Sequence, residues 1–280
     1  MALNKTMMGR MYEPVTYEVT AEGTKKFALA YNEDNPLFLD EKRPGGIVAP
    51  PMFGVVYTFQ AMGKPMGDAA LGVDPEMILR LVHGEEDLTF IRPVRPGDTI
   101  TTIPFIERIE EKATGETIVI GMISNNQKGE EVQRGLATIF FRGRGGKKEQ
   151  KPSVTEPQRM IVLEKTQNID KDQTYRYADA SGDHNPIHID ENVAKMAGFP
   201  TVIVHGLCTM AFTSKVMIDE LCRKNPTKLK RLRARFSKPV LPGQAITTKV
   251  WKESERVFGF ETYNPDGAAV VKNGLCETAA

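Results

Sequence analysis

Apolar and polar positions follow two distinct periods along this chain, and the second half shows both clearly. From Leu207 to Leu221 the run LCTMAFTSKVMIDEL returns apolar groups at roughly helical spacing, which predicts a long central helix. At 231–236 the period changes to two. Leu232, Ala234 and Phe236 alternate with Arg231, Arg233 and Arg235, so apolar groups fall on one face of a strand and cations on the other. PVLPGQ ends that strand, and 245–251, 256–263 and 268–275 read as further strands separated by polar turns. A short helix over 171–179 precedes the set. A long helix followed by an antiparallel meander is an α+β layout in which the sheet wraps the helix.

The same order occurs twice. FALAYNEDNPLFLDE, beginning at Phe27, aligns with YADASGDHNPIHIDE, beginning at Tyr177, so that Asn35 and Pro36 fall on Asn185 and Pro186. FIRPVRPGDTIT from Phe90 aligns with FSKPVLPGQAIT from Phe236, with Pro93 on Pro239. The chain therefore divides into tandem halves, 1–145 and 156–280. GRGGKKEQKPSVTEP, over 143–157, joins them and has the Gly, Pro and charge of a linker. Between Pro51 and Pro93 the first half is nine residues longer than the second is between Gly206 and Pro239. The surplus falls in MGKPMGDAALGVDPEM, where Gly63, Pro65, Gly67, Gly72 and Pro75 interrupt a helix, each proline costing about 3 kcal/mol in a helix interior.

Composition narrows the function classes. A chain of 280 residues has room for two domains with a core each. The formal net charge of +1 gives no argument for nucleic acid as a partner. Cys208, Cys222 and Cys276 have no metal-ligand spacing and suit a reducing compartment; Cys208 falls on the apolar helix and is expected to pack there rather than react. Lys5, Arg10, Glu13 and Glu18 interrupt the first twenty residues, so no secretory signal or membrane span is expected, and the final CETAA is not a peroxisomal address. The expectation is a cytoplasmic protein with no membrane partner.

The candidate chemistry lies in YADASGDHNPIHIDENVAKMAGFPTVIVHG, from Tyr177 to Gly206. Asp183, Asn185 and His188 surround Pro186, which fixes its own φ and pushes Asn185 into an extended conformation, giving both ionisable groups a defined direction. A carboxylate and an imidazole that reach one water can take a proton from it and return one to a carbon. Asn185 is expected to orient Asp183. Gly206 opens the long helix, where unpaired amides and the positive dipole end would stabilise an oxyanion. Taken singly, each residue is more often a cap or a satisfied loop side chain; their combination points to a site. The first half has Glu33 at the position of Asp183 and Phe38 at that of His188, and so lacks the proton pair.

Asp183, Asn185, Pro186, His188, Asp190, Ala194, Gly198, His205 and Gly206 stand in an order and spacing that closely resembles the MaoC-like (R)-specific enoyl-CoA hydratases, or type 2 hydratases. The resemblance implies a tandem (double) hot dog fold, each half a long central helix wrapped by an antiparallel sheet. It also implies reversible hydration of trans-2-enoyl-CoA to (R)-3-hydroxyacyl-CoA, a hydro-lyase reaction of fatty acid metabolism. Asp183, His188, Asn185 and Gly206 would be the catalytic set. No metal or redox cofactor is implied, and coenzyme A enters as part of the substrate; an acyl carrier protein thioester and a homodimer of such chains both stay open.

Other features are weighed against that frame. In LVHGEEDLTF, from Leu81, His83 and Glu85 resemble a motif of two-domain hydratases and are expected to support the site from the neighbouring half. A run of cations without an acid, from Arg223 to Lys238, reads either as a solvated strand face or, through Arg233, Arg235 and Lys238, as a binding row for the phosphates of coenzyme A. His205 is counted with these substrate-binding residues. RNA would use similar cations but lacks interleaved aromatics here. The interrupted segment reads either as a surface insertion or as the wall of a cavity that accommodates the acyl chain. A hot dog thioesterase and a non-catalytic acyl-binding subunit are the rival functions; the intact proton pair argues against the second.

Overall fold

The sequence repeat becomes a repeat of topology. In a computed structural model, which describes residues 2–143 and 159–280, ten strands form one antiparallel sheet. The first half supplies β1 (Val15–Glu18), β2 (Leu81–Phe90), β3 (Thr99–Lys112), β4 (Gly115–Asn125) and β5 (Glu131–Arg142). The second supplies β6 (Ile161–Asn168), β7 (Leu229–Phe236), β8 (Ala245–Lys252), β9 (Val257–Tyr263) and β10 (Ala269–Thr278). Their order, β1-β3-β4-β5-β2-β7-β10-β9-β8-β6, runs the second half as the mirror order of the first. The seam is β2·β7, where Asp87 lies opposite Arg233 and Leu88 opposite Leu232. The linker expected over 143–157, and with it both domain boundaries, lies almost wholly outside the described residues.

Among the described residues the α-helices are α1 (Ala21–Leu29), α2 (Pro36–Leu39), α3 (Gly54–Gly63), α4 (Pro75–Leu79), α5 (Gln173–Ser181), α6 (Glu191–Met196) and α7 (Gly206–Val216). The helix expected over 207–221 is α7, with its last turn, Met217–Leu221, widened to π geometry. Nearly every α7 residue is buried, as a helix that is apolar on several faces requires. One core joins the halves: Phe27 meets Tyr177 at 5.6 Å between ring centroids and Tyr31 meets Phe212 at 6.3 Å. No described helix is long and apolar enough to cross a membrane.

The surplus segment of the first half is interrupted as its Gly and Pro content requires. After α3 come short turns at Pro65–Gly67 and Ala69–Leu71, then Gly72 at φ +84° and α4. Leu71 and Met77 fold back into a second apolar cluster with Leu3, Met7, Ile106 and Ile120, because breaking the helix freed them to turn inward. What remains at Gly63 and Gly67 is an open depression edged by Arg10, Lys64 and Asp68. A Cβ at Gly67 would meet nothing within 4 Å.

Ion pairs cross the seam. Arg231 grips Asp87 with two hydrogen bonds, at 2.8 and 2.7 Å, and also reaches Glu277; Arg235 bonds Glu85 at 2.7 Å. Arg231→Met is expected to lower the unfolding free energy by about 1 kcal/mol, the upper scale for a partly exposed pair. Arg235→Met, at a more exposed pair, should change it by less than about 0.5 kcal/mol. Urea unfolding measures both, and equal losses would contradict the ranking.

Candidate active site

A backbone clip builds the site. Helix α5 ends at Ser181, and Gly182 at φ +79° reverses the chain. The Oδ1 of Asp183 then accepts the backbone amide of Asn185 at 3.1 Å, while the Asn185 side chain accepts the Ile187 amide at 3.4 Å and caps the turn Pro186–His188. Asn185 therefore orients Asp183 through its main-chain amide. The first half repeats the clip. The Oε1 of Glu33 accepts the amides of Asp34 and Asn35 at 3.0 Å, and Asn35 caps Leu37 at 3.0 Å.

Only the second half adds the imidazole. His188 is 8% exposed, and its Nδ1 lies 2.7 Å from the carbonyl oxygen of Ile203. A carbonyl only accepts, so Nδ1 carries the proton and Nε2 keeps its lone pair. Burial lowers the His188 pKa below the usual histidine value, with the Ile203 carbonyl and the Asp183 charge opposing in part, and the ring is neutral at pH 7. One carboxylate oxygen of Asp183 and one ring nitrogen each of His188 and His205 lie within 4.8 Å of one another. Asp183 is half-buried, so this cluster is not sealed from solvent.

His205 departs from the substrate-binding role expected of it. It is 1% exposed, stacks on His188 at 3.8 Å between centroids, and donates its Nε2–H to the carbonyl of Asp183 at 2.9 Å. Its place is behind the proton pair, where it fixes the Asp183 backbone. Burial lowers its pKa, and the neighbouring His188 lowers it further. The buried hydroxyl of Thr174 ties the same parts together, its single hydrogen within reach of the carbonyls of His188 at 2.9 Å and Ile203 at 3.2 Å. Nothing in the sequence distinguishes Thr174 from an ordinary helix residue.

Gly206 begins α7 with no side-chain cap on its amides. The first bond of the helix joins the Thr209 amide to the His205 carbonyl, so the amide of Gly206 has no partner within the helix. Glycine lets Phe236 pack close there: a Cβ would stand 3.0 to 3.2 Å from its ring, which would have to give by a few tenths of an ångström. Phe236 in turn meets His83 of β2 edge-on at 5.5 Å. His83 bonds Glu86, not Glu85, at 2.9 Å. A β-bulge between His83 and Glu85 shifts the alternation, turning Glu86 inward and Glu85 outward to Arg235.

Arg233 and Arg235 alternate to the face of β7 opposite Ala234 and Phe236, away from Gly206. Arg235 and Glu85 satisfy each other, so Glu85 is not free for substrate. Lys238, past the strand end, is exposed.

Comparison with known proteins agrees with this geometry. A family model described as a MaoC like domain matches residues 152–270, and one described as a FAS1-like dehydratase domain region matches residues 6–134. The "Probable enoyl-CoA hydratase 2" of Dictyostelium discoideum is 28% identical over 282 residues, 97% of this chain and 95% of that protein. The "3-hydroxyacyl-thioester dehydratase Y" of Mycobacterium tuberculosis is 27% identical over 302 residues, covering 100% of each. A MaoC-like dehydratase structure from Phytophthora capsici matches with a TM-score of 0.83 at 24% identity, over 100% of this chain and 98% of that one. The second half of the chain carries a MaoC-like dehydratase domain and the first half a FAS1-like dehydratase region, in a double hot dog fold.

A buried histidine with a lowered pKa binds fewer protons folded than unfolded once pH falls below about 6.5, so stability present above that pH is lost on acidification. Each such group removes up to about 1.4 kcal/mol per pH unit until its folded pKa is reached. Urea midpoints of the wild type should fall more steeply from about pH 7 to about pH 5 than those of His205→Gln. Parallel pH curves for the two would contradict the assignment.

Proposed function

We propose that this chain catalyses the reversible addition of water to trans-2-enoyl-CoA, giving (R)-3-hydroxyacyl-CoA. The observation that carries the reading is the free Nε2 acceptor of a neutral His188 beside the Asp183 carboxylate, next to an amide of Gly206 with no partner within its helix. The thioester oxygen accepts the Gly206 amide. Asp183 and His188 hold one water by its two hydrogens. As the water oxygen bonds to C3, one of the pair takes a proton and the C2–C3 π electrons move to the thioester oxygen as an enolate. The enolate collapses at C2 and takes a proton back from the pair. Both transfers use one face of the substrate, which is syn addition. The positive end of α7 favours the transient negative charge on oxygen.

No resident cofactor enters this scheme; coenzyme A belongs to the substrate. The buried, free cysteines support a reducing compartment such as the cytoplasm. The place of the acyl chain, its length, and a carrier protein in place of coenzyme A belong to the same proposal.

Asp183→Asn and His188→Gln are each expected to lower kcat by at least about a hundredfold, the scale of a positioned acid or base. A hydration assay with crotonyl-CoA and octenoyl-CoA measures this, with chiral analysis of the product. Near-normal rates in both variants, an S product, or release of free thiol from saturated acyl-CoA would contradict the proposal. Because the His188 pKa is lowered, the acid limb of kcat/KM should lie below about pH 6.5; a limb above that value would show a different group titrating.

A further inference from the structure

The β2·β7 seam has a two-fold character. Asp87 and Arg233 lie opposite one another, Phe90 is three residues past the first and Phe236 three past the second. His83 and Leu229 each stand four residues before that pair. The active-site wall of Phe236, His83 and Gly206 therefore has a counterpart across the seam made by Phe90, Leu229 and Pro51. Those three residues line a narrow cleft that is partly open to solvent.

This second cleft has lost every group that turns substrate over. Pro51 has no N–H to offer at the position of Gly206. Phe38 is fully buried where His188 would be, and Glu33 is paired with Lys215 at 3.1 Å. A site that had merely decayed would be filled with apolar side chains. This one instead contains a buried polar group that the second half lacks. Gln133, 2% exposed, lines the cleft, and Val271 stands at the matching place, each four residues past its turn glycine, Gly129 or Gly267.

The orientation of Gln133 is fixed. Burial keeps the Tyr57 phenol protonated, and that hydroxyl donates to the Gln133 Oε1 at 2.6 Å. The Nε2 amide is thereby left as a buried donor with no protein partner, which costs about 1 to 3 kcal/mol if nothing accepts from it. Gln133 crosses the head of α3 through space that only glycine leaves, since a Cβ on Gly54 would stand 1.8 Å from its Oε1. Ala49, Val94 and Phe90 supply apolar walls, and Arg92 and Lys230 stand among the cleft's lining residues.

We propose that this cleft is a second, non-catalytic site that binds an acyl group by its carbonyl oxygen, with the Gln133 amide as donor and the alkyl chain against the apolar walls. It lies across the Asp87·Arg233 pair from Gly206 and is separate from the reacting centre. The readout is binding, so the proposal stands or falls independently of turnover. Equilibrium dialysis with octanoyl-CoA, which lacks the double bond needed for hydration, should give two equivalents per wild-type chain and one per chain of Gln133→Leu, whose hydration rate should stay within twofold of wild type. Excess octanoate should displace the second equivalent if a free carboxylate is the occupant and leave it if the thioester is. One equivalent per wild-type chain would overturn the proposal whether or not the variant folds. Two equivalents retained by a folded Gln133→Leu would overturn it as well.

Discussion

The antiparallel pairing of β2 with β7 is the constraint on which the rest of the molecule depends. It joins two wrapped helices into one sheet and one core, and it places the edge of each half against the helix head of the other. Through it, His83 of the first half reaches Phe236, which covers Gly206 in the second. Its charged pairs, Arg231 with Asp87 and Arg235 with Glu85, lie on the face away from the site. They add specificity to the register more than stability, as partly exposed ion pairs do.

Comparison of the halves separates what the turn needs from what the chemistry needs. A carboxylate that accepts the amide two residues on, followed by an Asn-Pro cap, is present in both. It is a folding device first. In the first half the carboxylate of Glu33 is held by Lys215, which also reaches Asp34 and Asp219 from α7, and Phe38 packs in the core. In the second half the same turn aims Asp183 at a histidine whose tautomer is set by one carbonyl, that of Ile203. Two changes, Phe to His and a shorter acid, convert a structural turn into one that can move protons.

The repeat, both central helices and the Asp183, His188 and Gly206 set were legible because they depend on local spacing: a two-residue or helical period, a proline, a helix head. Features that depend on distant register were not. The partners of Arg231 and Arg235 come from a strand about 145 positions away, which no local pattern encodes, so the cations read as free. The bulge at Gly84 exchanged the roles of Glu85 and Glu86. The apolar residues after the broken α3, Leu71 and Met77, turn inward into a second cluster that the Gly and Pro count did not reveal. His205 was visible as a histidine beside the helix head, but its bond to a backbone carbonyl depends on where the turn places Asp183.

The central claim is that Asp183 and His188 act as one unit on a single water. The most direct measurement is the hydration rate of the Asp183→Asn/His188→Gln double variant against each single variant, since groups serving one step together are strongly non-additive. The account predicts a double variant about as slow as the slower single one. Losses that multiply would mean that the two residues serve separate steps, and would contradict it.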